Sequence, residues 1–296
     1  MSSSMLDPEI ISQAEALGLQ ARLIVEGFMA GEHRSPFRGF AIEFSQHREY
    51  GPGDDTRHLD WKVLGRTDRY YIKQYDQETN FVAHIVVDGS ESMKYGSGKV
   101  SKFDHARVLA ACLSFLVLSQ RDAVAVEIFD TAVRTQVPRS GNMGSMRTIM
   151  EVLAGFTLAG ETNLPGVMHE LAGRIKRKGI VLVISDCFAD EASVLAGIQH
   201  LRFTGSEVIL FHVMDAFELE FPFKGMVEFV GLEKIPLIAA RAVEIRKSYL
   251  AEVERFCRVL REGCEHMNCH YQMVNTSVPL AEVLTGYLAF RRRQLH

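Results

Sequence analysis

The segment Asp88-Gly89-Ser90-Glu91-Ser92 sets one carboxylate and two hydroxyls at alternate positions, directly after a run of strand-forming residues. That run, Phe81 to Val87, is β-branched and almost continuously apolar, the composition of a strand buried on both faces. Hard oxygen donors gathered at the carboxyl end of such a strand suit Mg²⁺, Mn²⁺ or Ca²⁺ far better than zinc or copper. Two later segments offer more oxygens. Ile184-Ser185-Asp186 ends a second apolar run on a carboxylate, and Gly160-Glu161-Thr162-Asn163 places a hydroxyl in a loop just ahead of a helix. Taken singly, Asp88 and Asp186 are explained as helix caps and the serines as partners for turn amides. Taken together, in this order and at these points of the pattern, Asp88, Ser90, Ser92, Thr162 and Asp186 read as a site for one divalent cation.

The elements that must position these groups follow from periodicity. Residues 10–28 carry apolar side chains at helical spacing, ending near Gly27 and Gly31, where a helix-terminating glycine belongs. Residues 39–77 are rich in Arg, Asp, His and aromatics, with a turn at Gly51-Pro52-Gly53-Asp54-Asp55 and a strand pattern over Arg69–Tyr75. Residues 1–79 therefore form a smaller N-terminal α+β region. From 80 to 296 strands and helices alternate. Strands are expected at 81–88, 123–129, 132–137 (an edge strand), 180–185, 207–213 and 270–274. Helices are expected at 102–119, 145–154, 164–176, 189–201, 241–261 and 279–291, with a hairpin-like excursion over 217–238. This alternation predicts an α/β fold, a Rossmann-like, mostly parallel sheet with helices on both faces. Ligands of such sheets lie outside the carboxyl ends of the strands.

Composition narrows the function. A chain of 296 residues that is 47% hydrophobic has ample core material, and a formal charge of −4 offers no basic footprint for nucleic acid. The longest apolar stretch, Val108 to Leu118, falls short of the ~18 residues of a membrane helix. The first residues lack the charged and apolar regions of a secretory signal, and five cysteines, an odd number, argue for reduced thiols. A cytoplasmic location is the expectation.

The five oxygen donors resemble the metal-ion-dependent adhesion site of von Willebrand factor type A domains, whose pattern is D-x-S-x-S, a later Thr, then an Asp. Further upstream, Gly39-Phe40-Ala41-Ile42-Glu43-Phe44, the stretch Arg48 to Asp55, and Arg57-His58-Leu59-Asp60-Trp61-Lys62 resemble the signature of the "domain of unknown function 58" family. Ser101-Lys102-Phe103-Asp104-His105-Ala106-Arg107 continues that likeness. The resemblance spans about Leu6 to Ser206 and implies a von Willebrand factor A-like domain acting as a binding module, not an enzyme. It implies Mg²⁺ (or Mn²⁺) at Asp88, Ser90, Ser92, Thr162 and Asp186, with the serines as direct ligands, the carboxylates often acting through water, and one position open for an acidic residue of a protein partner. Relatives of this kind are encoded beside MoxR-type AAA+ ATPases, which makes such an ATPase the implied partner. Glu91 and Glu161 flank the ligand positions and are candidate partner-binding residues. Many members of the family carry N-terminal membrane spans; no such span is read here.

Competing readings are weaker. Gly96-Ser97-Gly98-Lys99 fails as a phosphate loop, because the earlier glycine would fall at Met93 and Lys99 is followed by Val100. A dehalogenase-type phosphatase needs a second Asp where Ser90 stands. Cys257, Cys264, His266, Cys269 and His270 lack the paired spacing of a zinc site and read as core thiols with a surface histidine. The charged turn Asp54–Lys62 reads as a docking element for the N-terminal region, and Arg291-Arg292-Arg293 as a helix end. A metal-dependent hydrolase, with Glu91 or Glu161 as base, and a metal-independent scaffold stand as alternatives.

Overall fold

The structure, a computed structural model, describes residues 82–175, 178–232 and 238–294 and, ahead of them, 15–19, 21, 25, 43–49, 63, 65 and 70–76. The charged turn 54–62 lies outside the described residues. Two short strands, β1 (Glu43–Glu49) and β2 (Tyr71–Asp76), pair antiparallel with an irregularity between Phe44 and Gln46. The main sheet contains β3 (Val82–Asp88), β4 (Ala123–Phe129), β5 (Val133–Ser140), β6 (Ile180–Ser185), β7 (Glu207–Met214) and β10 (His270–Asn275). A separate antiparallel hairpin, β8 (Met226–Phe229) with β9 (Ile238–Arg241), occupies the expected excursion.

Strand order in the main sheet is β10-β7-β6-β3-β4-β5, all parallel except the edge strand β5. The chain builds outward from β3 through β4 to β5, then crosses to β6 on the other side. The reversal of direction therefore falls between β3 and β6, and the crevice outside a parallel sheet opens at such a point. Asp88 ends β3 and Asp186 follows β6, so the fold delivers two of the five donors to that crevice.

Alternate strand residues feed two cores. Ala83, Ile85 and Val87 of β3, with Leu182 and Ile184 of β6, face a cluster built on α1 (Lys102–Ser119), α2 (Ser145–Gly155) and Leu280, Leu284 and Tyr287 of a C-terminal helix. Leu17, Ala21 and Val25 join this cluster, so the N-terminal segment shares the core of the sheet. Val86, Val181 and Val183 face the opposite cluster with α3 (Leu164–Arg174), α4 (Glu191–Phe203) and the long helix Ala242–His266. That helix becomes α6, after the short α5 (Ala216–Glu220), and Leu280–Gln294 is α7. Burial on both faces explains why β3, β4 and β6 read as near-continuous apolar runs.

Candidate functional site

The site begins where β3 stops. Asp88 is fully buried, and its Oδ1 accepts the Ser90 amide at 3.0 Å. Its Oδ2 accepts the hydroxyls of Ser185 at 2.6 Å and Thr162 at 3.1 Å. Ser90 and Ser92 turn inward so that their hydroxyl oxygens lie 3.0 Å apart, and Ser92 starts no new strand because a short 3₁₀ turn over Glu91–Lys94 bends the chain away. Gly89 is required between Asp88 and Ser90: a Cβ there would stand 2.3 Å from the Phe156 ring.

The Thr162 loop is fastened to this turn by backbone bonds. The Glu91 amide donates to the Gly160 carbonyl at 3.0 Å, and the Ala159 amide donates to the Gly89 carbonyl at 3.3 Å. Gly160 adopts φ +75°, a left-handed conformation that favours glycine. Asn163 then caps α3 through its side chain, which accepts the Gly166 amide. The loop thus holds Thr162 against Asp88.

Beyond β6, Asp186 is almost fully buried. Its Oδ2 accepts from the Lys102 ammonium at 2.8 Å and its Oδ1 from the Phe188 amide at 3.2 Å. Lys102 also donates to Glu218 Oε1 at 2.9 Å, and Glu218 Oε2 accepts the Asp215 amide at 2.8 Å as part of the capping box of α5. The His212 Nε2 atom lies 3.1 Å from the Asp186 carbonyl oxygen.

Burial, followed by the neighbouring Asp186, pushes Asp88 up to about 7, against the hydrogen bonds from Ser185 and Ser90. For Lys102, burial alone favours the neutral amine, but the Asp186 and Glu218 carboxylates more than reverse this and raise its pKa. Burial lowers His212 to about 4. Asp88 and Asp186 are therefore electrostatically unlike. Asp186 has an ammonium in contact, whereas no lysine or arginine among the described residues forms an ion pair with Asp88.

The donor set fits a hard divalent ion. Ligand oxygens held at about 2.0–2.1 Å around octahedral Mg²⁺ lie about 2.9 Å from their neighbours. The Ser90 and Ser92 oxygens already stand at nearly that separation. Asp88 accepts the Ser90 amide and the hydroxyl of Thr162, a third hydroxyl beside the pair. Among the described residues no three His, Cys, Asp or Glu side chains gather as ligands, so the oxygens on offer here are mostly hydroxyls.

The sequence matches the family described as "Protein of unknown function DUF58" over residues 46–256, well over half of the chain, a stretch that contains all five donors. The chain belongs to this family. Among curated relatives, the "Uncharacterized protein Rv1480" of Mycobacterium tuberculosis is 27% identical over 228 residues, covering 75% of this chain and 70% of the relative. Solved structures similar to this DUF58 protein include the conserved hypothetical protein BatB of Bacteroides thetaiotaomicron, with TM-score 0.48 and 15% identity, covering 72% of this chain and 99% of that one. The SpRpn10 VWA domain matches with TM-score 0.39 and 10% identity, covering 69% of this chain and 93% of that one.

Sequence reasoning about this DUF58 chain named the five donors but passed over three residues that surround them. Ser185 was visible between Ile184 and Asp186, yet nothing local announced that it would donate to Asp88. Lys102 reaches Asp186 across 84 residues and Glu218 across 116, pairings no local pattern reveals. Glu91 and Glu161 do flank the site on partly exposed positions, and the Glu91 carboxylate is held by Lys94 at 3.1 Å. Cys257, Cys264 and Cys269 are buried free thiols, while His266 is exposed.

An apolar groove adjoins the donors. A cleft of about 570 Å³ runs from Ser92, Tyr95 and Lys102 past Phe188, Phe217 and Phe223. Phe188 is 51% exposed although it follows the buried Asp186-Cys187 pair, and Phe217 is 37% exposed. No helix among the described residues is long and apolar enough to cross a membrane.

Proposed function

We propose that this DUF58 protein is a metal-dependent protein-interaction module, not an enzyme. It holds Mg²⁺ (or Mn²⁺) at Ser90, Ser92 and Thr162, with Asp88 and Asp186 supplying charge around the ion, and captures an acidic residue of a partner protein. The observation that carries the reading is the pair of buried serine hydroxyls, hydrogen-bonded at 3.0 Å beside Asp88, a buried carboxylate with which no lysine or arginine among the described residues forms an ion pair. When bound, the ion supplies a Lewis-acidic contact that a carboxylate fills strongly, because neutral hydroxyls leave it electron-poor. The chain's own residues do the rest. Asp88 orients the Thr162 hydroxyl, the Gly160–Glu91 bond holds the two loops in register, and the exposed rings of Phe188 and Phe217 offer apolar contact beside the ion.

The family resemblance makes a MoxR-type AAA+ ATPase the partner to test first, in the cytoplasm, a setting that the five free thiols support. The purified chain is titrated with Mg²⁺ by calorimetry and then used to capture that ATPase with Mg²⁺ or EDTA present. Mg²⁺-dependent capture that is lost in Asp88→Ala is the expected result. Capture of equal strength in EDTA sinks the metal-dependent reading in favour of a scaffold.

A further inference from the structure

Among the described residues Lys102 is the only buried lysine or arginine. It stands in the wrong place for a cation. As the first residue of α1 it sits at the positive end of the helix dipole, and burial independently disfavours its charge. The helix start does not need it: Ser101 and Asp104 form a complete capping box without help. What holds the ammonium is the pair of carboxylates at 2.8 Å (Asp186) and 2.9 Å (Glu218). Asp186 spends its other oxygen on the Phe188 amide. One of the two carboxylates offered to the divalent ion thus already has a resident cation.

We propose that Lys102 is a built-in counter-cation of the metal site. It draws Asp186 away from the ion, so that the bare ion binds weakly and keeps charge to spare for an acidic ligand. This inference rests on the metal-binding reading given above. The contacts support it: the one ammonium is shared between Asp186 and Glu218, so an oxygen of Asp186 that could face the ion is already engaged. Replacing Lys102 by a neutral residue releases that oxygen. Affinity for the bare ion then rises and the ion's attraction for a carboxylate falls. Glu218 tunes the effect by sharing the ammonium, and its other oxygen is fixed on the Asp215 amide.

The test is Mn²⁺ binding to the full chain, read by the electron paramagnetic resonance signal of free Mn²⁺. The panel is wild type, Lys102→Met, Lys102→Arg, Glu218→Gln and the Lys102→Met/Glu218→Gln double variant. Lys102→Met binds Mn²⁺ roughly tenfold more tightly or better, because the unit positive charge held on Asp186 is gone. Lys102→Arg, which keeps the charge, stays near wild type. Glu218→Gln binds more weakly, since the ammonium falls wholly on Asp186, and its effect shrinks in the Lys102→Met background. Tighter binding is a readout that mere structural damage does not produce. If Lys102→Met fails to fold by circular dichroism, Glu218→Gln and Lys102→Arg decide, as the Glu218 side chain is 22% exposed and tolerant of change. Wild-type binding with unchanged constants in the folded variants overturns this inference alone. Free Mn²⁺ throughout the panel overturns the metal reading and this inference with it.

Discussion

Replacing Ser185 by alanine removes a single oxygen that serves two buried groups. Its hydroxyl donates to Asp88 Oδ2 at 2.6 Å and accepts the Cys187 amide at 2.9 Å, in a residue with no exposed surface. A hydrogen bond to a charged acceptor contributes about 1.5–3 kcal/mol, and a buried amide left without an acceptor costs about 1–3 kcal/mol. The two terms share one atom and do not simply add, so about 2–4 kcal/mol is the expected loss. Cys187 makes relaxation harder, because it holds a left-handed φ of +56° that non-glycine residues rarely adopt. At about 2–4 °C per kcal/mol for a domain of this size, Tm falls by roughly 6–12 °C for a loss of ~3 kcal/mol. Urea unfolding in EDTA is the assay, so that bound metal does not mask the change. Ser185 is not among the proposed ligands, so Mn²⁺ affinity falls far less in Ser185→Ala than in Ser90→Ala. A loss below ~1 kcal/mol refutes the reasoning, since it means that Asp88 and the Cys187 amide do not depend on this hydroxyl.

Three further outcomes follow from the same geometry. Gly89→Ala drives a methyl to within 2.3 Å of Phe156 and 3.1 Å of Ile128, so the turn carrying Ser90 and Ser92 must shift; a loss of about 1–3 kcal/mol and weaker Mn²⁺ binding are expected by urea unfolding and titration. Gly160→Ala forces an L-residue to φ +75° beside Asp130 Oδ2, costing roughly 1–2 kcal/mol and loosening Thr162, with reduced Mn²⁺ affinity as the check. Mg²⁺ at ten times its dissociation constant adds about 1.4 kcal/mol, so EDTA lowers Tm by roughly 3–6 °C in the wild type and leaves Asp88→Ala unchanged.

The strands of the main sheet were legible because their burial is two-sided. Ala123–Phe129 and Ile180–Ser185 are buried at every position, and the apolar run marks both ends. Helix α1 was equally plain, its start fixed by the Ser101–Asp104 box. Strand β1 was not legible: Glu43–Glu49 is mostly polar, and its pairing with β2 carries an irregularity that breaks any alternation. Helix α6 runs to His266, past the expected end at Arg261, because Cys264 continues the buried stripe of Cys257 and Leu260 through an otherwise polar last turn. The excursion expected over 217–238 holds α5 at its start and β8 within it, while β9 begins only at its last residue; α5 was hidden in the acidic run Glu218-Leu219-Glu220.

The candidate site divides along the same line between local and distant information. Residue types and strand ends are local, so the five donors could be named from spacing. Their charge environment is not local, since Lys102 reaches Asp186 across 84 residues and Glu218 across 116. Two chains that share Asp88, Ser90, Ser92, Thr162 and Asp186 are indistinguishable by motif, and under the proposal above they would differ in metal affinity according to whether position 102 carries a cation. There the ammonium shifts the balance from holding the ion toward presenting it. A module that works only when ion and acidic partner arrive together needs a site of that second kind, and under the proposal above the contacts of Lys102 with Asp186 and Glu218 are what would supply it.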